Sequence, residues 1–233
     1  MIYNNQYISI IIPIFNEEEN IFNLLYEIEL ELENFINYEI IIVNDNSEDG
    51  FLDKFHNSKL KSFIKLFNND ENLGQSKSIK NGISMSKYKN IVTIDGDGQN
   101  NPKDIKKLCD KYFQGKYSLV SGIRLKRKDN RIKVFSSKIA NYVRSRLLDD
   151  NCPDTACGLK IFKKNIFLDI PFFNGIHRFI PALFLSMSQK VYYLPIDHRQ
   201  RVYGDSKYGT LDRLFKGIID IFRVMLIIKK IKK

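Results

Sequence analysis

Two aspartates one residue apart follow a short apolar run at residues 91–99, which reads I-V-T-I-D-G-D-G-Q. β-Branched residues in such a run predict a buried strand, with Asp95 and Asp97 at its carboxyl end. Ligands of open α/β sheets bind at the carboxyl ends of the strands. Closely spaced carboxylates suit Mg²⁺ or Mn²⁺, and Gln99 could add a neutral oxygen ligand. The run therefore predicts a divalent-metal site, with a solvated Asp-Gly turn as the alternative.

Strands and helices alternate along the rest of the chain. Apolar runs predict strands at residues 7–14, 39–43, 62–67, 117–121, 159–162 and 191–196, and helical spacing predicts helices at about 18–34, 75–86, 102–114 and 134–148. The first two strands also lead into polar turns, at Glu17 and at Asp45. The pattern predicts an α/β fold with a mostly parallel central sheet, flanking helices on both faces and a polar ligand at its carboxyl edge.

The composition points to an anionic partner. Lys and Arg number 37 against 27 Asp and Glu, a net charge of +10, which suits nucleic acid, a nucleotide, a phosphorylated lipid or an anionic membrane surface. The three cysteines, Cys109, Cys152 and Cys157, have neither zinc-site nor disulfide-framework spacing, which favours a reducing, cytoplasmic setting. We find no signal peptide and no apolar run near the roughly 20 residues that span a bilayer, so we expect no membrane span.

Two segments concentrate the positive charge. Six Lys and Arg residues crowd into 124–133, which is either a solvated face or a loop that grips phosphate. Residues 211–233 predict an amphipathic helix that ends in four lysines, and it either lies in a membrane interface or packs on the core with a solvated tail. His177 stands among aromatic and apolar residues, where a packed, hydrogen-bonded imidazole is the commoner outcome than a catalytic one.

Eight motifs together resemble one enzyme family. Residues 13–20 (P-I-F-N-E-E-E-N), 44–50 (N-D-N-S-E-D-G), 72–77 (N-L-G-Q-S-K) and 95–102 (D-G-D-G-Q-N-N-P) resemble the inverting family 2 glycosyltransferases of GT-A fold. Residues 121–124 (S-G-I-R), 154–160 (D-T-A-C-G-L-K), 177–183 (H-R-F-I-P-A-L) and 201–208 (R-V-Y-G-D-S-K-Y) are similar to the polyprenyl-phosphate glycosyltransferases, the group of dolichol-phosphate mannose synthase. The resemblance implies a GT-A catalytic domain at 1–209, followed by the basic amphipathic helix at 210–233.

The resemblance also implies roles for individual residues. The metal, Mg²⁺ or Mn²⁺, would be held by Asp97, Gln99 and Asp95. The nucleotide-sugar donor would contact Pro13, Phe15, Glu17, Asp45, Lys77 and Asp95. The phosphate of the acceptor would contact Arg124, Lys133, Ser137, Arg201, Ser206 and Lys207. The residues implied in catalysis are Asp97, Arg124 and Asp154, the last as the candidate base.

The implied reaction moves a hexose from GDP-mannose or a UDP-sugar to a polyprenyl phosphate, at the cytoplasmic face of a membrane to which the protein binds peripherally. A divalent ion would stabilise the charge on the leaving diphosphate, and the attacking phosphate monoester is already ionised near pH 7. The alternatives are a soluble or polysaccharide acceptor, a nucleotidyltransferase, a nucleic-acid-binding protein and a non-catalytic relative. The missing Gly-rich loop disfavours the nucleotidyltransferase, the absence of a nucleic-acid-binding motif disfavours a nucleic-acid partner, and the intact acid pair disfavours a non-catalytic protein.

Overall fold

A central sheet organises the part of the chain that the computed structural model describes, residues 3–60, 63–124, 144–201, 203 and 210–232. Its strands are β1 (Tyr3–Ile14), β2 (Ile36–Asn44), β3 (Ile64–Asn68), β4 (Asn90–Thr93), β5 (Leu119–Arg124), β6 (Lys160–Lys163) and β7 (Val191–Ile196). Across the sheet they lie in the order β3-β2-β1-β4-β6-β5-β7. The β1/β2, β1/β4, β2/β3 and β5/β7 pairs are parallel, whereas β6 runs antiparallel to β4 and β5.

Helices cover both faces of this sheet. They are α1 (Glu18–Leu32), α2 (Phe51–Asn57), α3 (Gln75–Met85), α4 (Lys103–Gly115), α5 (Lys164–Leu168), α6 (Ile180–Ser186) and α7 (Thr210–Ile231). Residues 144–148 are also helical, and a 3₁₀ turn spans Ile176–Arg178. Within these described helices, none is long and apolar enough to cross a membrane.

Alternate residues of the strands enter two hydrophobic cores, as the period of two along a strand requires. On β2, Ile40 and Ile42 join the core beneath α1 and α4, while Ile41 and Val43 join the core beneath α3 and α6. Both faces are therefore buried, which explains why the strands read as continuous apolar runs. Val224 of α7 is fully buried in the second core.

The predicted fold class is confirmed, and within the described residues most predicted elements lie within a few residues of the observed ones. Residues 134–143 of the predicted helix at 134–148 lie outside the described residues. Three short helices, α2, α5 and α6, and the direction of one strand were not predicted. Helix α2 is short and buries only Phe51, so it carries little periodicity. The antiparallel direction of β6 was not predicted either, because a buried four-residue strand has the same apolar pattern in both directions.

Candidate active site

The carboxyl ends of the parallel strands bring four acidic residues to one edge of the sheet. Strand β4 ends at Thr93, and the backbone N–H of Ile94 still donates to the carbonyl of Ile11 on β1 before the chain turns into the acid pair. Glu17 follows β1, and Asp45 follows β2. The arrangement agrees with the expectation that a polar ligand binds at this edge.

Asp95 lies in a closely packed position. Its Oδ1 accepts a hydrogen bond from Gln75 Nε2 at 2.8 Å, and its carboxyl group lies against the backbone of Gly158. Thr93 Oγ1 donates to the carbonyl of Gly158 at 2.7 Å and so fixes that backbone segment.

Burial, and then the charge of Asp97, raise the pKa of Asp95 to about 6, while the cations of Lys160 and Arg124 act in the opposite direction. Two carboxylates that repel each other at a buried edge would be stabilised by a divalent cation.

Asp97 lies near the positively charged side chain of Arg201. Its Oδ1 accepts from the backbone N–H of Gln99 at 3.1 Å, and its Oδ2 lies 3.8 Å from Arg201 Nη1. The Gln99 amide nitrogen lies 3.4 Å from the Arg199 carbonyl.

Within the described residues, no three His, Cys, Asp or Glu side chains form a metal-binding group. The predicted set of Asp95, Asp97 and Gln99 has two carboxylates and one amide. Such a set fits Mg²⁺ or Mn²⁺, which take their remaining ligands from phosphate and water.

Arg124 and Asp154 form a buried pair at the end of β5. Arg124 donates from Nε to Asp154 Oδ2 at 2.7 Å, from Nη2 to Oδ1 at 2.8 Å, and from its backbone N–H to Oδ2 at 3.1 Å. Burial lowers the pKa of Arg124, but the hydrogen bonds and charge of Asp154 outweigh it and raise that pKa. Both carboxylate oxygens of Asp154 accept hydrogen bonds from one guanidinium. This geometry suits a residue that orients Arg124 better than it suits a base that removes a proton.

Three of the residues predicted to contact the nucleotide-sugar donor have partners within the protein. Asp45 accepts from Asn69 Nδ2 at 2.7 Å and from the backbone N–H groups of Leu73 and Gly74 at 2.9 and 2.8 Å, so it shapes the loop that enters α3. The ammonium of Lys77 lies 5.5 Å above the ring of Phe172.

The third is Glu17, which pairs with Arg201 and accepts from Asn20 Nδ2 at 2.8 Å. Pro13, which pairs with Val43 in β1/β2, and Phe15 are partly buried beside it. The predicted acceptor residues Lys133, Ser137, Ser206 and Lys207 lie outside the described residues.

Sequence reasoning missed several residues around the acid pair. Gln75 and Gly158 contact Asp95, and the buried Lys160 donates to the carbonyl of Cys157 on the same turn. All three lie inside motifs quoted above, but their contacts are made across the fold, and no local spacing shows them.

His177 is packed and hydrogen-bonded, as its apolar neighbours indicate. Its Nδ1 lies 2.6 Å from the hydroxyl of Ser76, which also accepts from the backbone N–H of Gly175 at 2.9 Å. Burial, with the nearby charges of Arg178 and Lys160, lowers the pKa of His177 to about 3. The imidazole is therefore neutral in the folded protein near pH 7.

Comparison with known families and proteins agrees with this geometry. Residues 9–170 match the family model described as "Glycosyl transferase family 2". The chain belongs to this family. Members are enzymes that transfer sugars, and the resemblance inferred from the motifs is thereby confirmed.

Similar family 2 proteins are named for lipid-linked sugar chemistry. The chain is 30% identical, over 95% of its own length and 67% of the relative's, to a dodecaprenyl-phosphate galacturonate synthase of Rhizobium johnstonii. It is 28% identical, over 88% of its length and 63% of the relative's, to an undecaprenyl-phosphate 4-deoxy-4-formamido-L-arabinose transferase of Aeromonas hydrophila. The chain thus spans about two thirds of the length of these relatives.

A solved structure of this fold is glucosyl-3-phosphoglycerate synthase from Mycobacterium tuberculosis. It superposes with a TM-score of 0.70 and 16% identity, covering 95% of this chain and 79% of that one, in complex with phosphoglyceric acid. The same synthase was also solved with Mn²⁺, UDP-glucose and phosphoglyceric acid, at a TM-score of 0.70 and 15% identity. At such identity the likeness shows the shared fold.

Proposed function

We propose that this family 2 glycosyltransferase moves a hexose from a nucleoside-diphosphate sugar to the phosphate of a polyprenyl phosphate, with a divalent metal and inversion at the sugar. One observation carries the proposal: a pair of carboxylates, Asp95 and Asp97, stands beside two oriented guanidinium groups, Arg124 and Arg201, at the carboxyl edge of the sheet. Such a site suits a metal-bound diphosphate and a second anion.

The donor would use the acidic side of the site. Asp97, Asp95 and Gln99 would hold Mg²⁺ or Mn²⁺, which supplies charge neutralisation on the leaving diphosphate. Glu17, Asp45, Lys77, Pro13 and Phe15 remain the proposed nucleotide-side residues. UDP-sugars and GDP-mannose are both candidate donors, and UDP-glucose is included because the Mycobacterium synthase of the same fold was solved with it.

The acceptor would use the basic side. A phosphate monoester is already ionised near pH 7, so the protein's main task is to bring one anion up to another. Arg124, held by Asp154, presents a fixed guanidinium, and planar guanidinium groups match phosphate oxygens. Lys133, Ser137, Ser206 and Lys207 complete the proposed phosphate site on the strength of the resemblance alone. The names of the relatives support a polyprenyl phosphate as the acceptor.

Helix α7 supports contact with an anionic membrane surface. One face is buried through Val224, whereas the opposite face exposes Phe222 at 63% and Leu226 at 64%, residues that are four positions apart and so lie on one stripe. The partly exposed Ile218, Ile219 and Met225 extend this stripe.

Basic residues follow and flank the exposed stripe. Lys229, Lys230 and Lys232 are exposed in the helix's last turn and just after it. Arg223, on the same helix, is also exposed, and its guanidinium lies 5.7 Å from the ring of Phe173. Apolar side chains rimmed by cations suit the interface of an anionic bilayer. These features support our proposal that residues 210–233 bind peripherally to the cytoplasmic surface of a membrane and that residues 1–209 form the catalytic domain.

The reaction is tested with purified protein, Mn²⁺ or Mg²⁺, undecaprenyl phosphate in detergent and a panel of UDP- and GDP-sugars, with products identified by mass spectrometry. We expect one glycosylated polyprenyl phosphate and none with Asp97→Asn. Phosphoglyceric acid serves as the soluble acceptor, because the structurally similar synthase was solved with it. Glycosylation of phosphoglyceric acid without any lipid-linked product would overturn the lipid acceptor and support the soluble one.

The membrane contact is tested by co-sedimentation with phosphatidylcholine vesicles that contain or lack phosphatidylglycerol. We expect Phe222→Ser with Leu226→Ser to lower binding to the anionic vesicles several-fold. The matched control is Tyr26→Ser with Leu30→Ser on α1, two residues exposed at 69% and 60%, which should bind like the wild type. Equal binding of both double variants would contradict the α7 assignment.

A further inference from the structure

Arg201 bridges two acidic residues that belong to different strand ends. Its Nη2 donates to Glu17 Oε1, its Nη1 lies 3.8 Å from Asp97 Oδ2, and its Nε donates to the carbonyl of Tyr203 at 2.8 Å. The three side chains are largely buried, with Arg201 and Asp97 each exposed by 19% and Glu17 by 11%. One guanidinium therefore lies beside both carboxylates and offsets part of their combined charge.

The two oxygens of Asp97 have different neighbours. Oδ1 accepts the backbone N–H of Gln99, whereas Oδ2 lies near the guanidinium of Arg201. At 3.8 Å this is an ion pair without a hydrogen bond, whereas the contact with Glu17 is a hydrogen-bonded ion pair. Arg201 is thus held mainly by Glu17, and its contact with Asp97 is the weaker of the two.

We propose that Arg201 acts as an internal cation that competes with the divalent metal for Asp97, and that metal binding releases it toward the acceptor. The inference rests on the proposed function, which makes Asp97 a metal ligand. A divalent ion held by Asp97 would repel a guanidinium that lies within about 4 Å of the same carboxylate, and the repulsion would be strong in a site of low exposure. Arg201 must then leave Asp97, while Glu17 keeps it at the edge of the site.

The release sets an order of binding. While Arg201 pairs with Glu17 and Asp97, its positive charge is compensated and attracts a second anion weakly. With a metal and the donor diphosphate at Asp97, the guanidinium would be able to turn to the phosphate of the acceptor. Tight acceptor binding would therefore follow donor binding, and in the empty site Arg201 offsets part of the carboxylate charge.

The test measures Mn²⁺ binding without nucleotide or acceptor, by electron paramagnetic resonance of the free ion. We expect Arg201→Gln to bind Mn²⁺ about tenfold more tightly than the wild type, because the competing charge is gone. The matched control is Arg199→Gln, which removes the same charge two residues away. Arg199 pairs with Glu27 at 2.6 Å and Asn101 at 2.9 Å, and no such pair joins it to Asp97 among the described contacts. Its Mn²⁺ affinity should change less than twofold.

Three outcomes distinguish a failure of this inference from a failure of the proposed function. Mn²⁺ binding by Arg201→Gln that equals or falls below the wild-type value, in a variant with wild-type thermal unfolding, overturns the competition. A similar gain in both arginine variants also overturns it, since the effect would then be one of net charge. If Asp97→Asn binds Mn²⁺ as well as the wild type does, the metal site itself is wrong, and the proposed mechanism fails with it.

Discussion

Alanine at position 158 offers a sharp test of how the acid pair is positioned. A Cβ built on Gly158 would lie well inside 3.0 Å of the carboxyl carbon and both oxygens of Asp95, a separation that real Cβ atoms essentially never show. The φ angle of Gly158 lies outside the left-handed region, so alanine is not strained in its backbone. Any effect of Gly158→Ala therefore comes from the clash with Asp95.

The size of the effect follows from the distance that the carboxylate must move. Ordinary van der Waals contact begins at 3.4 Å, so the Asp95 carboxylate has to shift by about 1 Å, and a 1 Å misplacement at a reacting centre costs about 10²-fold in rate. The shift also strains the 2.8 Å hydrogen bond from Gln75. Overpacking lowers the free energy of unfolding by about 1–3 kcal/mol. We expect a decrease near the lower end of that range, about 1 kcal/mol, for Gly158→Ala, because the carboxylate of Asp95 lies at the edge of the site and can move.

The assay compares kcat/KM for lipid-linked sugar transfer with thermal unfolding of the same preparations. The control is Gly217→Ala in α7, where an added Cβ meets nothing within 4 Å and where alanine favours the helix by about 1 kcal/mol. We expect Gly158→Ala to lose about 10²-fold in kcat/KM and to remain folded, with Gly217→Ala near the wild type. Transfer by Gly158→Ala within twofold of the wild-type rate would refute the view that Gly158 places Asp95.

Three further predictions concern neighbouring groups. Asp97→Ala should abolish transfer with unchanged thermal unfolding, and retained transfer would remove Asp97 from the metal site. Because the folded-state pKa of His177 is lowered to about 3, the unfolded chain takes up that proton first, so stability falls as the pH drops from about 6.5 toward 3, by about 1.4 kcal/mol per unit. His177→Gln should reduce this slope in urea unfolding between pH 7 and 5, and an unchanged slope would contradict it. Asp154→Asn leaves the guanidinium of Arg124, which is only 11% exposed, without its carboxylate partner. We therefore expect the free energy of unfolding to fall by about 3–5 kcal/mol, and a second substitution, Arg124→Met, to restore part of it. Unchanged unfolding of Asp154→Asn would show that the pair is not structural.

Much of the fold was predictable because its signals are local. The run at 91–99 shows a buried strand and its acidic end in nine consecutive residues, and β7 was predicted at its observed bounds, Val191–Ile196. Alternation of strands and helices then indicates a parallel sheet, since parallel neighbours need a crossover. Helices α2, α5 and α6 and the direction of β6 were not predicted, because none of them leaves a distinct pattern in a segment that short.

The site was predictable in its residue types and less so in their partners. Asp45, expected at the nucleotide base, also shapes the loop before α3 through Asn69, Leu73 and Gly74. Asp154, expected as a base, has both oxygens on Arg124, thirty positions away in the chain. Such pairings depend on which strand ends meet across the sheet edge, and sequence spacing does not record them.

Local patterns were enough to predict the α/β class, the acidic strand end, the basic segments and the family, because each depends on the order and spacing of nearby residues. The folded chain was needed to show that Gly158 lies against Asp95, that Arg201 bridges Glu17 and Asp97, and that α7 has one buried and one exposed apolar face. These contacts join residues far apart in the chain, and their distances are set by the packing of helices against both faces of the sheet.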